Sequence, residues 1–180
     1  MTGPKARYHP PLTTTRRALL TGGGDTEFRR LVYRLSVIEE RLRHARTYFG
    51  RRIGLSGPQY MLLVSVAYLQ GASGMTVRAL ARELRVTSAF VTSESYRLIE
   101  RGLLAKRPNP HDSRSTLITV TAAGRRRLEA LVPEVRKVND LFFGRLSSAS
   151  FRAALRFLDQ LADGSAQALT YIAHREGRRA

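Results

Sequence analysis

The chain's 180 residues include 31 lysines and arginines against 14 acidic residues, and the resulting +17 selects for nucleic acid, membrane surfaces or acidic proteins as partners. Cysteine is absent, which excludes disulfides, thiolate metal centres and cysteine redox chemistry together. No apolar run approaches the roughly 20 residues of a membrane-spanning helix, and Ala18-Leu19-Leu20 after Arg16-Arg17 is too brief for a secretory signal, so the expectation is a cytoplasmic protein.

Residues 1–24 hold Pro4, Pro10, Pro11, a Thr13-Thr14-Thr15 run and Gly22-Gly23-Gly24, with four basic residues and no acidic one. Such a segment buries too little apolar surface to offset its ordering entropy. It predicts a flexible basic arm, either disordered or touching DNA or a partner subunit. From Phe28, the apolar residues Leu31, Val32, Leu35, Ile38, Leu42, Ala45 and Phe49 recur at three- and four-residue steps, an amphipathic helix over about 25–50 that Gly50 and Gly54 end. Ser56 is placed to cap the next helix, with Pro58 just inside it where a missing N–H costs nothing. Leu55 to Met75 carries no charge, which marks a helix covered on several sides.

Thr76 caps a short helix, Val77 to Leu84, with Arg78, Arg82 and Arg85 outward. After a tight break at Val86, Thr87 or Ser88 caps a second, which runs to Glu100 and stops at Gly102. Two short helices around a sharp turn read as a helix-turn-helix. Leu103–Arg107 and Thr116–Val120 have strand character around a turn-rich stretch, a hairpin with a long basic tip. Thr121 caps a further helix with Leu128, Leu131, Val132, Val135, Val138 and Phe142 in helical spacing and a kink expected at Pro133. A last helix spans about Ser148–Ala173, with a bend expected at Gly164, before a short basic tail at 174–180.

The hairpin segment Asp112-Ser113-Arg114-Ser115-Thr116-Leu117-Ile118-Thr119-Val120-Thr121-Ala122-Ala123-Gly124 resembles the wing signature of the MarR family, Asp-x-Arg followed by a strand, Thr and Gly. Leu98-Ile99-Glu100-Arg101-Gly102-Leu103-Leu104 resembles that family's exit from the recognition helix. The resemblance covers roughly 28–172 and implies a mainly α fold with a small β-hairpin wing. It places a winged helix-turn-helix at about 55–121 and dimerisation helices at about 25–50 and 121–173 within one unit, 25–173.

What it further implies is a homodimeric regulator, by expectation a repressor, that binds a pseudo-palindromic DNA operator. A small aromatic acid or its coenzyme A thioester, bound near the first two helices, would release it. Base readers on the 87–100 helix would include Ser88, Thr92, Ser93 and Arg97, with Ser93-Glu94 standing where a basic and an apolar residue are usual. Glu94 either accepts from cytosine or pairs with Arg97, and the pair is favoured. In the wing, Lys106, Arg107, Asp112 and Arg114 are the candidate DNA contacts. Arg114 would enter a minor groove, and Asp112 would either aim its guanidinium or cap a turn. Tyr33, His44, Arg46, Tyr48, Tyr60 and Tyr68 are the candidate effector contacts, with ordinary core and dimer packing as the competing reading of each.

Physics supports the wing independently: from Arg101 to Arg127 there are seven basic residues and one acidic, whereas Thr76–Glu100 has four arginines against three glutamates. The alternative function is a sequence-neutral, architectural nucleic-acid binder using the same charge. Catalysis is not expected, because the histidines at 9, 44, 111 and 174 are scattered and no zincin, Walker or GxSxG motif is present. For the same reasons neither a metal nor a cofactor is expected.

Overall fold

A computed structural model describes residues 10–177. The chain divides into two compact units, one ending at Leu131 and one starting at Val132.

The first unit begins with a segment that the sequence marked as flexible. Residues 1–9 lie outside the described residues, but 10–24 contain a single 3-10 turn at Arg17–Leu19 and a Thr21–Gly24 bridge. Part of this segment is also fastened from outside it, by Asp25. Its buried carboxylate accepts from the Thr13 N–H and hydroxyl, both at 2.7 Å, and from Arg29 Nε at 2.8 Å, while Arg29 also donates to the Pro11 carbonyl. Asp25 therefore spends its side chain on a clasp and makes no capping hydrogen bond to the helix it precedes. The Arg29 and Thr13 bonds hold its carboxyl well below the usual carboxylate range, so the clasp is intact at neutral pH and is lost only as strong acid protonates Asp25.

Helix α1 (Thr26–Arg52) packs on α2 (Gly57–Leu69). Ser56 Oγ accepts from Gln59 N while Gln59 Oε1 accepts from Ser56 N, a reciprocal capping box that satisfies two end donors of α2. Strand β1 (Met75–Thr76) precedes α3 (Val77–Leu84), and Thr76 Oγ1 caps that helix through Ala79 N. Thr87, the first of the two capping candidates, accepts from Phe90 N at the start of α4 (Ser88–Glu100). Strands β2 (Leu104–Pro108) and β3 (Thr116–Val120) pair in antiparallel register from Leu104↔Val120 to Pro108↔Thr116. The sheet has three strands, in the order β1-β3-β2, because Met75 and Thr76 pair with Ile118 and Leu117. A two-residue strand is too short to carry an alternating pattern, which is why the sequence showed only the hairpin.

Leu62, Leu63, Val66, Leu80, Val91, Leu98, Leu103, Leu104 and Ile118 form the buried centre. Each buried aliphatic side chain of this kind contributes about 1.5–3 kcal/mol. The connection from α3 to α4 turns through Arg85, whose φ of +55° is the one left-handed non-glycine backbone among the described residues. A side chain there costs about 1–2 kcal/mol, so Arg85→Gly is expected to raise stability by about 0.5–1 kcal/mol net of glycine's greater unfolded entropy. Chemical denaturation checks this, with a higher midpoint at unchanged slope as the expected result.

Helix α5 (Ala122–Phe143) begins with Thr121 Oγ1 accepting from Gly124 N. Gly124 has to be glycine: a Cβ would lie 2.3 Å from the Leu103 carbonyl oxygen and 2.8 Å from a Val120 methyl. Thus the glycine of the wing signature allows the helix to sit directly on β2 and β3. Leu128 packs against this same core.

The second unit comprises the rest of α5 and α6 (Ser148–Glu176), capped by Ser147 through Ser150 N. Both helices are continuous, α5 through Pro133 and α6 through Gly164. None of the 29 residues of α6 is buried, although Phe151, Leu155, Leu158, Leu161, Leu169 and Ile172 are large and apolar.

Candidate nucleic-acid interface

Residues of α4 sort by helical period. Val91, Glu94, Ser95 and Leu98 face inward, and Ser88, Thr92, Ser93, Tyr96 and Arg97 are exposed. The four predicted readers therefore share one open face. Tyr96, 57% exposed, belongs to that face as well and was missed in the sequence; its signal was the four-residue step from Thr92. The neighbouring Glu100 carboxylate raises its phenol above the ordinary tyrosine value, so it is a neutral hydrogen-bonding group at pH 7. Glu94 makes the expected pair with Arg97, Oε1 to Nη1 at 2.8 Å.

The wing tip is ordered by its own polar groups. Asn109 donates to Ser115 Oγ at 2.8 Å and accepts from His111 N at 3.1 Å, and Ser115 N donates to the Asp112 carbonyl at 3.0 Å. Asp112 Oδ1 accepts from the backbone N–H of Arg114 at 3.0 Å. Of the two readings of Asp112, turn capping is the one the geometry supports; the carboxylate does not hold the guanidinium. A short acidic side chain two residues before an N–H reaches that N–H sooner than a flexible guanidinium beyond it. The Arg114 side chain is left exposed at the tip, as is Lys106 on β2. Arg107 is committed in part: its Nη2 donates to the Ser73 carbonyl at 2.6 Å, fastening the wing to the loop after α2.

A cleft of about 250 Å³ opens between α1, α2 and α4, lined by Arg43, Arg46, Thr47, Gly57, Pro58, Met61 and Phe90. Of the six candidate effector contacts only Arg46 is on its wall. Tyr60 is buried against Phe49, with ring centroids 5.7 Å apart, and its phenol is raised by that burial. Tyr33, His44, Tyr48 and Tyr68 are exposed in the single chain. Sequence reading missed the other six lining residues: Arg43 and Thr47 are two polar positions among many on α1, and Gly57, Pro58 and Met61 of α2 and Phe90 of α4 carry no polar signature. Arg43 and Arg46 each have a carboxylate on the same helix, Glu40 at 2.5 Å and Glu39 at 3.8 Å. Among the described residues no cluster of histidine, aspartate and glutamate is arranged to hold a metal, and no helix is long and apolar enough to cross a membrane.

Three comparisons bear on this arrangement. The structure of CouR from Rhodococcus jostii RHA1 bound to p-coumaroyl-CoA superposes with a TM-score of 0.66 at 24% identity, over 73% of this chain and 91% of that one. A Staphylococcus aureus MepR–DNA complex superposes at 0.65 and 16% identity, over 74% and 94%. At these identities the likeness is one of fold. In sequence, the transcriptional activatory protein BadR of Rhodopseudomonas palustris is 30% identical over 135 residues, 74% of this chain and 77% of its own. The MarR family profile matches residues 53–115, from the end of α1 through the wing tip. With a relative 30% identical and aligned over three-quarters of each chain, the protein belongs to the MarR family of DNA-binding transcriptional regulators.

Proposed function

We propose that this protein is a cytoplasmic homodimer that represses transcription from a pseudo-palindromic operator and leaves it when a small aromatic acid enters the cleft between α1, α2 and α4. One observation carries the proposal: the cleft that could take a ligand has Phe90 of the recognition helix in its wall. A ligand there touches the element that reads DNA, so its binding energy acts directly on the placement of that element. Arg43 and Arg46 suit an anionic group, and Pro58, Met61 and Phe90 suit an apolar ring. The volume of about 250 Å³ lies just below the range usual for drug-sized ligands. It favours the free acid, and of a coenzyme A thioester it would admit the acyl end only. The p-coumaroyl-CoA bound by the structural neighbour CouR supports this chemistry class.

In this reading Ser88, Thr92, Ser93, Tyr96 and Arg97 enter the major groove, and Lys106 and Arg114 meet the flanking groove and backbone. Asp112 shapes the wing tip and Arg107 anchors it. Titrating benzoate- and cinnamate-type acids and their thioesters by thermal shift, with and without operator, tests the cleft. A charge-assisted contact is worth about 1.5–3 kcal/mol, so Arg46→Ala is expected to weaken the active ligand ten-fold or more and to leave operator binding without ligand unchanged. Undiminished affinity in Arg46→Ala would move the effector elsewhere.

BadR is a transcriptional activatory protein, which favours activation as the second reading of the output. A reporter driven from the selected operator, with and without the protein, separates the two signs. Competition against unrelated duplex addresses the architectural alternative, since a specific regulator retains a preference of order a thousand-fold or more.

A further inference from the structure

Glu94 sits in the middle of α4 with 8% of its surface exposed, flanked on its inward face by Val91 and Leu98. One carboxylate oxygen accepts from Arg97, and the other, Oε2, has no hydrogen-bond partner among the described residues. Its polar neighbour does not help, because Ser95 Oγ donates back to the Val91 and Thr92 carbonyls. A buried carboxylate with an orphaned oxygen is unfavourable, and a single pair at i,i+3 with a largely exposed arginine returns little of that. Judged by packing alone this position belongs to an apolar side chain.

We propose that Glu94 is a positioning residue for DNA recognition, retained because it holds the Arg97 guanidinium at the groove-facing surface in one orientation. The proposal rests on α4 being the helix that reads bases. The Arg97 side chain is 58% exposed and shares the open face with Ser93 and Tyr96. A free arginine there samples many rotamers, each to be given up on binding. The Glu94 contact fixes it through Nη1 and leaves Nε and Nη2 free. Those two N–H groups form a parallel fork of the kind that matches O6 and N7 of guanine. Glu94 would thus act on specificity without touching DNA, and the base selected by Arg97 would be guanine.

The test uses the full chain as wild type, Glu94→Leu, Glu94→Gln, Arg97→Ala and the Glu94→Leu/Arg97→Ala double variant. Each is melted and each is used to select from a duplex library with a randomised core at fixed salt. Arg97→Ala is expected to lose a guanine preference by about ten-fold. Glu94→Leu should lose it to the same extent while melting at or above the wild-type temperature, and the double variant should lose nothing more. Glu94→Gln, which keeps an acceptor without the charge, should fall between. If Glu94→Leu does not fold, the Glu94→Gln selection decides in its place. Wild-type preference in the folded Glu94 variants, with Arg97→Ala impaired, overturns the positioning role and leaves the α4 readout standing. Wild-type preference in Arg97→Ala overturns both the role and the readout by Arg97.

Discussion

Leu158→Asp is expected to convert the protein to a monomer at micromolar concentration and to lower operator affinity by two orders of magnitude or more. The physical ground is α6, in which no residue is buried although Phe151, Leu155, Leu158, Leu161, Leu169 and Ile172 recur along it. On α1, Leu31, Val32 and Ile38 are likewise uncovered. Apolar surface on this scale calls for a partner, and a second copy supplies one by symmetry. An aspartate at Leu158 would enter that interface without a cation, and losing the second half-site forfeits the roughly 10²–10⁴ that bivalent engagement adds. Sedimentation velocity reads the assembly, and far-ultraviolet circular dichroism verifies that the helix-turn-helix core survives. A wild-type monomer removes the two-half-site reading, and a variant that stays dimeric takes Leu158 out of the interface. Leu128 is the wrong position for this test, because it packs against the core that holds Leu62 and Leu98 and an aspartate there would unfold the domain first.

Arg114→Ala is expected to weaken operator binding by about 1–3 kcal/mol, the range for one good groove contact. The salt dependence should flatten by about one unit per half-site. Folding should be unaffected, since Arg114 lies on an exposed tip held by Asn109, Asp112 and Ser115. The companion variants use the geometry of the tip. Asp112→Asn keeps an oxygen to accept from the Arg114 N–H and should bind like wild type, whereas Asp112→Ala loses the turn and should show part of the Arg114→Ala defect. If Asp112→Asn were as damaging as Asp112→Ala, the carboxylate charge, and not the turn, would be what matters. Titrations across a salt series measure all of these, and wild-type binding by Arg114→Ala at every salt concentration would take the wing out of the interface.

What the sequence determined by itself was set by short-range physics. Ser56, Thr76, Thr87 and Thr121 cap helices because each side-chain oxygen reaches an N–H within three residues, so the cap and the boundary are written in the same few letters. The family resemblance then supplied the outward residues of α4 and, from Asp112 to Gly124, the wing. Tertiary structure alone decided what depended on residues far apart in the chain. Asp25 reaches back to Thr13 and fastens that part of a proline- and glycine-rich segment to the start of α1. Arg107 is drawn to Ser73 across 34 residues, and β1 exists only because β3 lies beside it. The cleft is walled by α1, α2 and α4 together, which left five of six polar-tipped candidates outside it and brought in Phe90. Local pattern specifies which face of an element is buried, but which other element covers that face is a property of the folded chain, and the cleft is formed by that choice.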